Sequence, residues 1–328
     1  MMMTSSRLLR NLIKAGVEGT SDEFQTVALE VIGEERKKQH HLLANDLERL
    51  LYKRSQTVQP LLDVLVPTDA ETGAPILDVR TPVRRLDDLS LESEARSVIL
   101  RVLQEHRRAE ELSSYGISAA QRLLFYGPPG CGKTVAAEAI AFELDRPLAI
   151  LRLDAVVSSL LGETATNLRA VFEFIERVPS VLLLDEFDAM GGERDGKTEH
   201  GEMRRVVNTI LMLMDQYRGK SLIIAATNFA QSLDRALWRR FEEVVKFNPP
   251  TQREAKSFVF NRTRGVRREV DIESLPLDVW FGGWSYADIE RVCSRAIKNM
   301  ILAGDEFLCK RHFEDAYTSE SFRRDAIL

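Results

Sequence analysis

Residues 127–134 read Gly127-Pro128-Pro129-Gly130-Cys131-Gly132-Lys133-Thr134, directly after the apolar run Leu123-Leu124-Phe125-Tyr126. A buried strand that empties into a glycine-rich turn, with a helix from Val135 to Leu144 behind it, builds a cradle for phosphate. Glycines let successive backbone N–H groups turn inward, and the helix presents its positive end to the anion. The pattern assigns 127–134 and Val135 to a nucleotide triphosphate, with Lys133 reaching its β- and γ-phosphates and Thr134 a magnesium ion. G-x-x-x-x-G-K-[ST] also arises by chance in unrelated loops. The strand before it and the helix after it set this copy apart.

Such a cradle needs an acidic partner at the end of a second buried strand. Val181-Leu182-Leu183-Leu184 is a continuous apolar run, as a strand covered on both faces requires, and it ends in Asp185-Glu186. Asp185 is suited to hold magnesium through water, and Glu186 to orient or deprotonate the attacking water.

With both elements in place, the chain resembles the AAA family of ATPases over roughly residues 85–300. Leu222 to Thr227 and Asn228 are similar to the family's next strand and its sensor residue, which implies that Asn228 faces the γ-phosphate or the water. Leu233 to Phe241 resembles the second region of homology in the form seen in katanin, spastin and vacuolar-sorting ATPases. An Arg-Arg pair at a helix end is ordinarily a surface feature. Its place in this block implies that Arg239 and Arg240 are fingers, which work by neutralising charge at a neighbouring subunit's site. The resemblance therefore implies a homo-oligomeric ring, a hexamer with ATP bound. Gly283-Trp284-Ser285-Tyr286-Ala287-Asp288-Ile289 is similar to the family's lid motif, which puts Ala287 near the nucleotide, while Tyr286 stands where the family has glycine.

The family's channel loop corresponds to Ser158 to Glu163, with Leu160, Leu161 and Gly162 as the substrate-gripping positions. Leu160 stands where an aromatic residue is usual, so apolar contact is kept and stacking is lost. Residues 191–205, rich in charge and glycine, read as a second, mobile channel loop before a helix from Val206 to Asp215.

The expected architecture is α/β: a P-loop NTPase three-layer α/β/α core, a C-terminal helical lid and an N-terminal helical accessory domain. The core has a parallel five-stranded sheet, with strands at Arg122–Tyr126, Leu148–Leu153, Val181–Asp185, Leu222–Thr227 and about Val244–Phe247. Residues 1–80 read as accessory domain plus linker, 81–250 as the large nucleotide-binding domain and 251–328 as the lid. Within the first, Leu8, Leu9, Leu12 and Ile13 make one helical stripe, and Leu42, Leu43, Leu47, Leu50 and Leu51 another. The stretch from Pro60 to Pro82 is punctuated by proline and Thr72-Gly73, as a linker or short hairpin would be. Adjacent His40 and His41 point in different directions on a helix, and no third ligand is near them in sequence. The helical stretch through Glu34 to Leu51 is also similar to small bacterial AAA proteins associated with subtilisin-like serine proteases, implying such a protease as a separate partner.

Net charge is −5, with 45 basic and 50 acidic residues, which disfavours a surface built to wrap nucleic acid. Cys131, Cys293 and Cys309 have no paired spacing, so neither a disulfide framework nor a zinc site is indicated and a reducing cytoplasm is expected. No apolar run approaches a membrane span, and residues 1–10 lack a signal-peptide core. H-E-x-x-H and G-x-S-x-G are both absent. These features favour ATP-driven, magnesium-dependent remodelling of a protein substrate. A nucleic-acid loader and a nucleotide-dependent scaffold are the alternatives.

Overall fold

The structure is a computed structural model and describes residues 10, 12, 14, 21–37, 47, 66–69, 72–153, 156, 163–187, 199–229 and 235–326. The chain divides into two units, 1–64 and 65–328. In the first, a helix spans Ser21–Lys37 with Ala28 and Ile32 buried. Apart from Leu12 and Leu47, the two leucine stripes expected in this unit lie outside the described residues, as do His40 and His41.

The second unit is organised by a sheet of six strands: β1 Leu77–Arg80, β2 Arg122–Tyr126, β3 Leu148–Leu151, β4 Val181–Leu184, β5 Leu222–Thr227 and β6 Glu243–Lys246. Their order is β1-β3-β4-β5-β2-β6. The five expected strands pair in parallel, while β1 adds an antiparallel edge on β3 with Leu77 opposite Leu151. Every residue of β4 and β5 is buried. Successive strand residues point to opposite faces, so Leu183 and Ile224 join Ala136, Ala139 and Ile140 of the helix Lys133–Glu143 on one side. Leu182, Leu184, Ile223 and Ala225 are buried on the other, so both faces are covered, as a parallel sheet demands.

Strand β1 corrects the expected five-stranded sheet and lies inside the stretch read as a linker or short hairpin. Thr68 bridges Pro75, and the turn between them is held by Asp69, which accepts from Thr72 N (2.8 Å), Thr72 Oγ1 (2.7 Å) and Asn167 Nδ2 (2.7 Å). The last bond stitches this hairpin to the helix Glu163–Arg177, so the sheet unit begins upstream of residue 81.

Two helices follow β1, Ser93–Arg107 and Ala109–Ser114, separated where Arg108 leaves helical geometry at φ −109°, ψ 24°. One further expectation is adjusted. The helix expected from Val206 starts at Glu199 and runs to Gln216, so it takes over the end of the segment read as a mobile loop.

Residues 251–326 form helices Gln252–Arg262, Leu277–Trp280, Tyr286–Ala303 and Lys310–Asp325. They share a separate core that includes Val259, Ile289, Val292, Phe281 and Phe313. Thr251 with Glu254, and Ser285 with Asp288, form capping boxes that fix where two of these helices begin.

Candidate active site

Because β4, β5 and β2 are neighbours and parallel, their carboxyl ends lie side by side, where open α/β sheets bind ligands. Asp185-Glu186, Asn228 and the 127–134 turn leave the sheet at this rim. The glycines of the turn serve distinct purposes. At Gly127, with φ +143°, a Cβ would lie 1.9 Å from the Phe247 carbonyl oxygen. At Gly130, with φ +73°, it would lie 2.6 Å from Ser285 Oγ. Gly132 is the left-handed cap of the helix Lys133–Glu143. Gly127→Ala combines a clash with backbone and a forbidden φ, so it should lower unfolding free energy by about 2–4 kcal/mol. Urea unfolding of the two proteins checks this.

Lys133 is buried at 6% exposure, and its Nζ donates to Gly127 O (2.7 Å), Pro128 O (2.9 Å) and Asn228 Oδ1 (2.8 Å). These acceptors are neutral, and an ammonium bonds more strongly to an anion, so the cradle suits phosphate oxygens. Thr134 Oγ1 donates to Asp185 Oδ2 at 2.7 Å. The hydroxyl and carboxylate form the hard oxygen pair that magnesium accepts. The residues present therefore fit a magnesium-bound triphosphate. Burial pushes the Cys131 thiol up, against the pull of Lys133, and its sulfur turns to Pro129 O at 3.8 Å.

Asp185 Oδ1 accepts the Glu186 N–H at 2.9 Å, and Phe187 N–H goes to Ala226 O at 2.8 Å. Between them, exposed Glu186 adopts φ +53°. Among the described residues only Asp145 is another non-glycine at positive φ, and it closes the C-terminus of the helix Lys133–Glu143. Glu186 ends no helix. A left-handed glutamate costs roughly 1–3 kcal/mol, strain of the kind that clusters at active sites and switch regions.

The region after residue 251 touches the same loop. Ala287 N–H donates to Gly130 O at 3.1 Å, at the first turn of the helix that Ser285 caps. Tyr286 is accommodated without displacing that turn: its ring packs edge-on to Phe258 at 5.2 Å, and burial, reinforced by Glu254, keeps the phenol neutral.

Arg239 and Arg240 have different surroundings. Trp238 packs edge-on to Tyr126 at 5.4 Å and Phe241 to Phe187 at 6.4 Å, which pins the segment on both sides. Arg240 Nε donates to Asp215 Oδ2 at 3.1 Å. Arg239 is exposed, with no hydrogen bond or ion pair among the described residues. Asp215 is also 3.5 Å from Arg122, so Arg240 belongs to a surface ion network. Sequence reasoning missed Asp215, which lies 25 residues from Arg240. It also missed the pairing of Ser285 with Asp288, although Ser-x-x-Asp is a legible capping signal. Leu160, Leu161 and Gly162 lie outside the described residues.

Residues 123–249 match the family described as "ATPase family associated with various cellular activities (AAA)". The chain is 39% identical over 325 residues to the uncharacterized AAA family ATPase y4kL of Sinorhizobium fredii, covering 98% of this chain and 97% of that protein. It is 34% identical over 195 residues to the cell division cycle protein 48 homolog of Archaeoglobus fulgidus, 58% of this chain and 26% of that one. A protein of Methanothermobacter marburgensis named as a 26S proteasome regulatory subunit homolog is 29% identical over 256 residues, 73% of this chain and 65% of that protein.

Proposed function

The chain belongs to the AAA family of ATPases, and on that premise we propose that it couples ATP hydrolysis to remodelling or unfolding of a protein substrate within a ring of its own copies. Arg239 carries this reading. A cation pinned by two packed aromatic neighbours, exposed, and without a partner among the described residues of its own chain suits the site of a second copy. We take the ring to be a hexamer when nucleotide is bound.

Lys133 and the N–H groups of the turn hold the phosphates, and Thr134 with Asp185 holds magnesium, which supplies Lewis-acid polarisation when bound. Glu186 orients the attacking water and accepts its proton. Asn228, bonded to Lys133, aligns the same end of the site. Ala287 brings the lid helix onto Gly130, so closure around nucleotide moves the lid with the phosphate loop. Arg239 of the adjacent copy completes the charge balance.

A protein substrate is favoured by net charge −5 and by the names of the Archaeoglobus and Methanothermobacter relatives. Leu160 and Leu161 are the proposed grip. No helix among the described residues is long and apolar enough to cross a membrane. We place the protein in the reducing cytoplasm, given its three free thiols, and assign its N-terminal helices to partner choice, with a separate subtilisin-like serine protease as the partner class.

Unfolded polypeptide, such as reduced carboxymethylated lactalbumin, should raise steady-state ATPase turnover several-fold, about 1 kcal/mol off the barrier. Duplex or single-stranded DNA should leave it unchanged. Stimulation by DNA and not by polypeptide would overturn the proposal in favour of a nucleic-acid loader.

A further inference from the structure

We propose that Cys309 and His312, with Asp305 orienting the histidine, form a binding site for a thiophilic divalent transition metal of the zinc type, at the start of the helix Lys310–Asp325 and apart from the phosphate loop. One ligand atom from each lies within 4.8 Å of the others. Cys309 is the N-cap residue of this helix. Cys309 and His312 form a reciprocal capping box, but serine, threonine, asparagine and aspartate serve the N-cap position better than a thiol, which is a weak hydrogen-bonding group.

His312, three residues on, is 2% exposed and held at both edges of its ring. Its Nε2 lies 2.8 Å from Asp305 Oδ2, while its Nδ1 is 3.2 Å from Cys309 N and 3.5 Å from Cys309 Sγ. Because Nδ1 accepts the Cys309 N–H, Nε2–H donates a hydrogen bond to the carboxylate. The Nδ1 lone pair then faces the amide N–H and the sulfur.

Distances decide the metal geometry. Zinc sits about 2.3 Å from thiolate and about 2.0 Å from imidazole, so a tetrahedral angle separates the two ligand atoms by about 3.5 Å. That is the separation observed between Cys309 Sγ and His312 Nδ1. The Phe307 carbonyl oxygen is also 3.5 Å from the sulfur, at the spacing of a third donor.

Asp305 acts one step out, as the carboxylate that orients a metal-bound histidine through its far nitrogen. Its ion pair with Arg311 suits that anchoring role. On binding, the thiol proton leaves to solvent, the metal takes its place on sulfur, and the long amide contact on Nδ1 is exchanged for the metal; nothing is oxidised or reduced. Thiolate with imidazole selects zinc-like ions over the magnesium that hydroxyl and carboxylate prefer. Of the three free cysteines, Cys131 and Cys293 are buried, so Cys309 is the accessible sulfur.

Cobalt(II) titrated into the full chain, free of nucleotide and magnesium, should give a sulfur-to-cobalt charge-transfer band that zinc bleaches. Cys309→Ser keeps a good cap and should fold normally while losing the band. Asp305→Asn should retain the band and weaken affinity roughly 10–100-fold. Zinc should raise the melting temperature of the native protein and leave that of Cys309→Ser unchanged. A folded native protein with no band, or a band or thermal shift undiminished in Cys309→Ser, would overturn the site.

Discussion

Glu186→Gln is expected to bind ATP as tightly as the native protein and to hydrolyse it about 10²–10⁴-fold more slowly, the usual range for loss of a general base. The amide keeps the size and shape of the carboxylate, so the turn that carries it should survive. That turn depends on two bonds donated by main-chain N–H groups, Glu186 N to the Asp185 side-chain Oδ1 and Phe187 N to Ala226 O, and neither uses the Glu186 side chain. Lys133 keeps its bonds to the turn and Thr134 its bond to Asp185, which is why affinity should hold. What is lost is the proton acceptor. Fluorescent-nucleotide titration reads the first property and phosphate release the second. Native turnover in the variant would remove Glu186 from the chemistry, whereas a parallel fall in affinity would mean that it supports the cradle. The same variant separates binding from hydrolysis in the polypeptide test, since a trapped ring should hold substrate without turning over.

The parts of this site legible in sequence are those whose signal is local. The phosphate turn is written in consecutive residues, and β2, β4 and β5 are apolar runs that cannot be exposed on either face. Strand β1 was not legible, because Leu77-Asp78-Val79-Arg80 is short and alternating, and becomes a strand only through non-local pairing with β3. The break at Arg108 was hidden inside a smooth amphipathic pattern. No sequence signal marks the left-handed backbone of Glu186, a geometry set by the close approach of 187 to β5. The proposed metal site is not legible in cysteine spacing, because the partner of Cys309 is a histidine three residues on. The difference between Arg239 and Arg240 is likewise invisible in a run of two identical residues. It appears only once Asp215 is folded against the second of them.

That difference gives the second large effect. Arg239→Ala should lower turnover by about 10³-fold or more, the measured worth of an arginine finger, without weakening ATP binding in the same subunit. Arg240→Ala should do less, because Arg240 is held by Asp215 of its own chain in an exposed ion pair that contributes at most about 1 kcal/mol. Loss in the first case is a loss to the neighbour, and mixing exposes it. Lys133→Ala subunits have a disabled cradle and an intact finger; Arg239→Ala subunits have the reverse. Each alone should be inactive. In a random equal mixture, about a quarter of interfaces pair an intact cradle with an intact finger, so hydrolysis should return to a visible fraction of native. An inactive mixture, with both proteins shown to co-assemble, would mean that Arg239 serves its own subunit or none. If Arg240→Ala proved the more damaging and Arg239→Ala the milder, the finger would be Arg240, and its bond to Asp215 would have to break on assembly.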